Sequence, residues 1–208
     1  MTSLDRETSV QTQFIKDIAN HEMTVHHADG VFRHLAFKRA NTVAYSFQIT
    51  TWPGSLCISG DMGSYVFARL PDMFSFFRGD HINPAYWAAK LTADDKLNGH
   101  RTFSHHRYVE ALKKDFAAWH FHSDEGRKRS WAAIDDDVSG LMGASTTEEA
   151  LRLASEWECP ISGQRFTDFW GNDLEEFSSQ FLWCCHAIQW AISQFDKTNP
   201  NSTQAAAA

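Results

Sequence analysis

Between Tyr45 and Phe77 the chain reads YSFQITTWPGSLCISGDMGSYVFARLPDMFSFF, and no other segment restricts the fold as tightly. Two Gly-containing turns, Trp52-Pro53-Gly54 and Gly60-Asp61-Met62-Gly63, are separated and flanked by short apolar runs. Alternation with a period of two marks a strand with one buried face, and turns this short join antiparallel neighbours. Val43, Tyr45, Phe47 and Ile49 alternate with Ala44, Ser46, Gln48 and Thr50, which predicts a half-buried strand; Leu56–Ser59 and Tyr65–Arg69 are the next two. Upstream, Thr24–Ala28 and Val31–Arg39 flank Asp29-Gly30, a pair suited to a two-residue hairpin turn. Five strands joined by such short links form an antiparallel meander.

The pattern turns helical after Leu70. Pro71 and Asp72 fall in the first turn of a helix whose apolar side is Met73, Phe76 and Phe77, and Asn83-Pro84 opens another that runs to about Leu91. Thr92–His105 is polar and reads as a loop, Tyr108–His120 as a helix with Leu112, Phe116 and Trp119 on one side, and Ser123–Ser130 as a basic loop. Thr146-Thr147-Glu148-Glu149 has the form of a capping box and starts a helix reaching about Glu158. Ahead of the sheet, Ser9–Glu22 is a short amphipathic helix using Phe14, Ile18 and His21.

The last helix, residues 173–197 with Asn172 as its cap, carries the widest apolar stripe: Phe177, Phe181, Cys184, Ile188, Ala191 and Phe195, broadened by Leu182, Cys185 and Ile192. A stripe that wide is buried centrally or shared in a homo-oligomer, and burial is the favoured reading. The expected fold is therefore α+β. One domain spans residues 1–200, with a five-stranded antiparallel meander sheet at 23–70 packed by C-terminal helices at 71–198, and 201–208 form a disordered tail.

With 43% hydrophobic residues, 16 Phe and 8 Trp among 208, the chain can build a sizeable core. Its four cysteines form no CxxC, and Met1-Thr2-Ser3-Leu4-Asp5-Arg6 has no signal-peptide pattern, so a cytoplasmic chain with reduced thiols is expected. No apolar run is long enough to span a membrane. Residues 131–208 carry three Lys/Arg against twelve Asp/Glu. That acidic third disfavours a nucleic acid polymer and favours a basic partner.

No Walker loop, GxSxG elbow, HExxH or EF-hand loop is present, and no cofactor is implied. His120-Phe121-His122-Ser123-Asp124-Glu125 is similar to the HxHxDH metal-binding run of the metallo-β-lactamase superfamily. It departs from that run at Glu125, where the pattern has His, and it follows a helical segment where the family has a strand. As an alternative reading, His120, His122 and Asp124, with Asp61 in support, would serve a metal-dependent hydrolase or nuclease. Asp61 at its turn reads more simply as an Asx-turn acceptor. His26 and His27 point to opposite faces of a strand, and one of them can pair with Asp29 or with His34 across the hairpin. Cys184-Cys185-His186 reads as buried thiols beside a helical neighbour. The binding constellation is Arg33, Arg39, Arg69, Arg78 and His81 near Tyr45, Trp52 and Tyr65. Arginines beside aromatic rings hold a phosphate and stack a base, which suits a small signalling nucleotide.

The run Thr51–Gly79 (TWPGSLCISGDMGSYVFARLPDMFSFFRG), together with Gly30-Val31-Phe32-Arg33-His34-Leu35, resembles a family of proteins encoded by tailed bacteriophages and prophages. The shared features are a "GLYRHLRF"-type strand, the "TWPG" and "GDMG" turns and the "DMFxFFR" helix; the likeness covers about residues 20–90. The family has no assigned activity, so no catalytic residue carries over. The resemblance implies a phage accessory protein acting in the bacterial host, with antagonism of a host defence as the expected role. Its target would be a defence protein or a signalling nucleotide, with a structural or assembly role as a further alternative.

Overall fold

The computed structural model describes residues 3–135 and 140–199. Packing divides the chain into two compact units, one made of 2–101 with 177–208 and the other of 102–176. Each has its own apolar core. The sheet unit contains α1 (Ser3–Asp17), β1 (Glu22–Asp29), β2 (Phe32–Lys38), β3 (Phe47–Trp52), β4 (Ser55–Gly60), β5 (Gly63–Ala68), α2 (Met73–Phe77), α3 (Pro84–Ala88) and β6 (Leu91–Ala93). The chain then passes through β7 (Arg101–Phe103) into the helical unit, which holds α4 (His105–Ala117), α5 (Asp124–Asp135) and α6 (Thr147–Glu156). It returns through β8 (Glu175–Phe177) to α7 (Ser179–Thr198), and β7 and β8 pair as a separate two-stranded sheet.

The class expected from sequence, α+β with an antiparallel sheet, is present, with six strands in the order β1-β2-β3-β4-β5-β6 where five were predicted. The sixth, β6, lies in what the sequence presents as the end of a helix and a polar loop. Three residues are too few to show a period, and the strand exists because Val66 pairs with Ala93 and Phe67 with Leu91. The meander register follows the predicted pleat. Leu35, Phe37, Phe47, Ile49, Leu56, Ile58, Tyr65 and Phe67 all point to the inner face and are almost wholly buried.

Local turn chemistry shifts two boundaries. The first hairpin turns at Gly30-Val31, with Asp29 paired to Phe32 and Gly30 at φ 55°. Strand β3 begins at Phe47, four residues later than the alternation suggests, because Asn41 and Tyr45 both adopt positive φ. Asp61 holds this bend: its Oδ2 accepts the Tyr45 N–H at 2.8 Å, so the carboxylate caps a neighbouring loop where an Asx-turn was expected. Gly60 is required by contact, since a Cβ there would stand 2.2 Å from the Ser46 carbonyl oxygen.

Helix α7 starts at Ser179, six residues beyond the predicted start; Asn172 follows a short 3-10 turn at Phe169–Gly171, and residues 175–177 are strand β8. Ser178 caps α7, its Oγ accepting the Phe181 N–H while its hydroxyl donates to the Gly99 carbonyl. Eight successive residues, Phe181–Ile188, are buried. The apolar ones pack in one cluster with Val10 and Phe14 of α1, with Ile18 just after it, with α2, and with the inner face of the sheet. The stripe is thus buried inside the chain, the favoured of its two readings, each full burial of such a side chain being worth about 1.5–3 kcal/mol.

In the helical unit the segment read as a basic loop, Ser123–Ser130, is instead the start of α5. Ser123 accepts the Gly126 N–H at 3.1 Å as an N-terminal cap, and Ser130 and Ile134, one turn apart, are fully buried. Few apolar residues announce this helix, so burial of that one edge had to be supplied by the fold. Thr146 caps α6 as expected, though Glu149 reaches back to Ser145 N–H and hydroxyl and leaves the cap residue's own N–H. The predicted tail at 201–208 lies outside the described residues.

Candidate functional site

All four helices of the sheet unit lie against the inner face of the sheet, and the opposite face is open. Parity assigns its residues: Phe32, His34, Ala36 and Lys38 on β2, Gln48, Thr50 and Trp52 on β3, Ser55, Cys57 and Ser59 on β4, and Ser64, Val66 and Ala68 on β5. None of these is buried, and only Lys38, at the margin, is charged. Solvent-facing strands normally carry long charged side chains that discourage docking. Here Phe32 is 51% exposed and Trp52 39%, at one end of a platform of Ser, Thr, Ala and Gln. Toward β1, His26 lies 4.8 Å from His34, whose Nε2 is 2.8 Å from Gln48 Oε1. The cross-hairpin histidine pair foreseen in the sequence is therefore present on this open face.

The arginine and aromatic residues singled out for a nucleotide do not converge. Arg33 has the parity of Leu35 and Phe37, points inward and is 5% exposed. Its guanidinium donates to both Asp72 oxygens, at 2.8 and 3.1 Å, and lies 4.3 Å from the centre of the Phe74 ring. Arg78 is held by Asp196 in the same two-bond fashion, at 2.8 and 2.9 Å. Asp72 and Arg78 are the residues flanking α2, so an ion pair pins each end of this short helix, one from β2 and one from α7. Burial alone would push the Asp72 carboxyl up, but the Arg33 hydrogen bonds and the Phe74 N–H outweigh it and hold the group below its ordinary value. The Asp196 hydrogen bonds raise the Arg78 guanidinium above its ordinary value.

Tyr65 is enclosed in the core and donates to the Gly99 carbonyl at 3.0 Å. Tyr45 stacks on Trp183, 6.2 Å between ring centres. Arg39, Arg69 and His81 are exposed, and Trp52 is on the outer face. The pleat separates the set: Arg33 and Tyr65 are inside and Trp52 is outside.

His120, His122 and Asp124 are all exposed, in the segment leading into α5. The His120 backbone is clipped by the Gln164 side chain, which accepts its N–H at 3.2 Å and donates to its carbonyl at 3.0 Å. Among the described residues no three His, Cys, Asp or Glu side chains come together in a way that could hold a metal ion. Cys184 and Cys185 are buried in α7 as anticipated, and burial pushes both thiols well up. No helix among the described residues is long and apolar enough to cross a membrane.

Two features escape a reading of the sequence. Asp94 and His100 close a tight loop, with His100 Nδ1 at 2.5 Å from Asp94 Oδ2, and the imidazole packs edge-on to Phe181. A carboxylate-oriented imidazole is a suitable base, but its partners here are loop backbone and an aromatic ring, which make it a loop clasp. The second is a cleft of about 430 Å³ between α4 and α5, lined by Phe116, Asp124, Arg127, Lys128 and Trp131. The Phe116 and Trp131 rings meet at 5.1 Å and 66°, and the Arg127 guanidinium lies 5.9 Å from the centre of the Phe116 ring. The only sequence signal was the basic run Arg127-Lys128-Arg129, whose aromatic neighbours come from other parts of the chain or one helical turn on.

Compared with known proteins, the chain matches no family model, no curated protein and no solved structure.

Proposed function

We propose that the chain is a phage-type accessory protein that antagonises a host defence by binding a host protein on the open face of its sheet. The observation that carries this reading is the charge-poor outer face, with Phe32 and Trp52 exposed at one end. Interface cores are depleted in charge and enriched in aromatic residues, and the rim is polar. Strands about 4.8 Å apart and roughly six residues long give a face of roughly 20 by 24 Å, enough for an interface at the lower end of the specific range. Glu22, Asp29 and Lys38 lie toward its margin, where rim charges belong. The resemblance of residues 20–90 to phage-encoded proteins supplies the biological setting, and binding without turnover is in keeping with the dispersed side-chain chemistry.

Thr50 is at the centre of this face, between Gln48 and Trp52 along β3 and beside His34 and Cys57 on the neighbouring strands. A host protein captured by the wild-type chain, purified and mixed back, is expected to form a complex of fixed stoichiometry that Thr50→Arg abolishes without lowering the melting temperature. Expression of the wild-type chain, and not of Thr50→Arg, is expected to restore phage plating on a defence-bearing strain. Equal binding and equal plating with both chains would remove the sheet face from the mechanism.

A further inference from the structure

Beyond the protein-binding role, we infer that the cleft between α4 and α5 is a binding site for a mononucleotide, an aromatic base with N–H donors attached to a phosphate. Its floor is aromatic. Phe116 is buried to 6% exposure and Trp131 is half-buried, and Phe116 also meets the Trp119 and Phe121 rings at 5.3 and 5.1 Å. Two rings meeting at an angle of 66° offer a stacking surface and a wall, which accept any planar base.

The rim is charged in a pattern that selects the rest of the ligand. Arg127 and Lys128 stand beside the rings, and Asp124 lies one turn earlier on the same helix. The cations suit a phosphate, and the carboxylate accepts hydrogen bonds from ring or amino N–H groups of a base. A simple aryl phosphate satisfies only the first of these.

The cations stand out against the charge of the unit. Residues 102–176 contain eight Lys/Arg and fifteen Asp/Glu, so this unit carries the whole formal charge of −7. Of its five other cations, four are drawn to carboxylates, Arg107 to Asp173, Lys113 to Glu110, Arg152 to Glu156 and Arg165 to Glu158, while Lys114 stands apart from the cleft's lining. Arg127, Lys128 and Arg129 are exposed and make no ion pair among the described residues, despite that surplus of acid. Unpaired cations over an aromatic cleft are a place for an anion supplied from outside the chain. The acidic remainder of the unit repels a polymer of phosphates and admits a single one. The volume of about 430 Å³ falls in the range of small-ligand clefts.

The test is titration of the full chain, labelled with 5-fluorotryptophan, with AMP, GMP, adenosine and inorganic phosphate, followed by fluorine NMR and calorimetry. The Trp131 resonance is assigned by its loss in Trp131→Phe. At least one mononucleotide is expected to shift that resonance and to bind about tenfold or more tightly than adenosine or phosphate alone, as joint recognition of base and phosphate requires. Arg127→Glu is expected to remove the binding while leaving the apo melting temperature unchanged. The inference is overturned by an unmoved Trp131 resonance at millimolar nucleotide, by phosphate binding as tightly as the nucleotides, or by undiminished affinity in Arg127→Glu.

Discussion

Replacing Asp72 with alanine is expected to destabilise the sheet unit by about 4 kcal/mol, far more than a surface ion pair is worth. Arg33 is 5% exposed and its guanidinium sits over the Phe74 ring, with Asp72 as its bidentate partner. Removing that partner leaves a buried cation uncompensated, at about 3 kcal/mol, the lower end of the usual range because the Asp72 side of the pair is 17% exposed. The same substitution also removes the N-cap bond to the Phe74 N–H, about 1 kcal/mol more. Asp72→Asn separates the two effects, because its oxygen still accepts the Phe74 N–H while the charge is gone; about 3 kcal/mol of the loss should remain. Arg33→Met removes the buried charge and leaves Asp72 partly solvated on its helix cap, at a cost of about 1–2 kcal/mol.

The double variant Arg33→Met/Asp72→Asn should then recover about 2–3 kcal/mol relative to the sum of its parents. Urea unfolding monitored by circular dichroism measures all four proteins. Acid adds a second readout. Because the folded carboxyl lies below its ordinary value of about 3.9, its contribution is complete above that pH and is lost as pH falls through the lower folded value. Asp72→Asn should lack that acid-side loss. A cost for Asp72→Ala below about 1 kcal/mol, or additive single variants, would show that the pair behaves as a solvated surface bridge and refute the reasoning.

Burial pushes the His186 imidazole down to about 4; it stacks on Phe14, and its Nε2 meets no partner. An unfolded histidine titrates near 6.5, so the unfolded chain gains its proton first. Stability should therefore be complete above about pH 6.5 and fall, by at most about 3 kcal/mol, down to about pH 4. His186→Phe should flatten that slope in urea midpoints measured at pH 7 and 4.5, and an unchanged slope counts against the assignment. Gly60→Ala would bring a Cβ to 2.2 Å from the Ser46 oxygen and 2.7 Å from the Phe47 Cα, both backbone atoms that cannot swing aside. It should cost more than about 2 kcal/mol in the same assay, and a loss within 0.5 kcal/mol would mean that the Tyr45 bend is not held in place as described.

The alternation of apolar residues from Leu35 to Phe67, the Gly turns, and the stripe from Phe181 to Phe195 determine an antiparallel sheet and a buried terminal helix without help from distant partners. These are signals of period two and period 3.6 written by neighbours a few residues apart. The same parity places Arg33 with Leu35 and Phe37 on the inner face and away from Trp52, so the failure of the arginine and aromatic set was in principle legible. Other features have no local signature. Strand β6 is three residues long, α5 shows one buried edge among charged residues, and α7 starts at Ser179 because the hydroxyl of its cap, Ser178, finds the carbonyl of Gly99, 79 residues away in sequence. The placing of Arg127 over Phe116, of Arg33 against Asp72 and of His100 on Asp94 likewise depends on which groups the folded backbone brings within reach. Composition and spacing determine which face of each element is apolar, because burial is non-directional and sums over many residues. A site depends on a few directional contacts between residues far apart in the chain, and only tertiary packing sets those distances and angles.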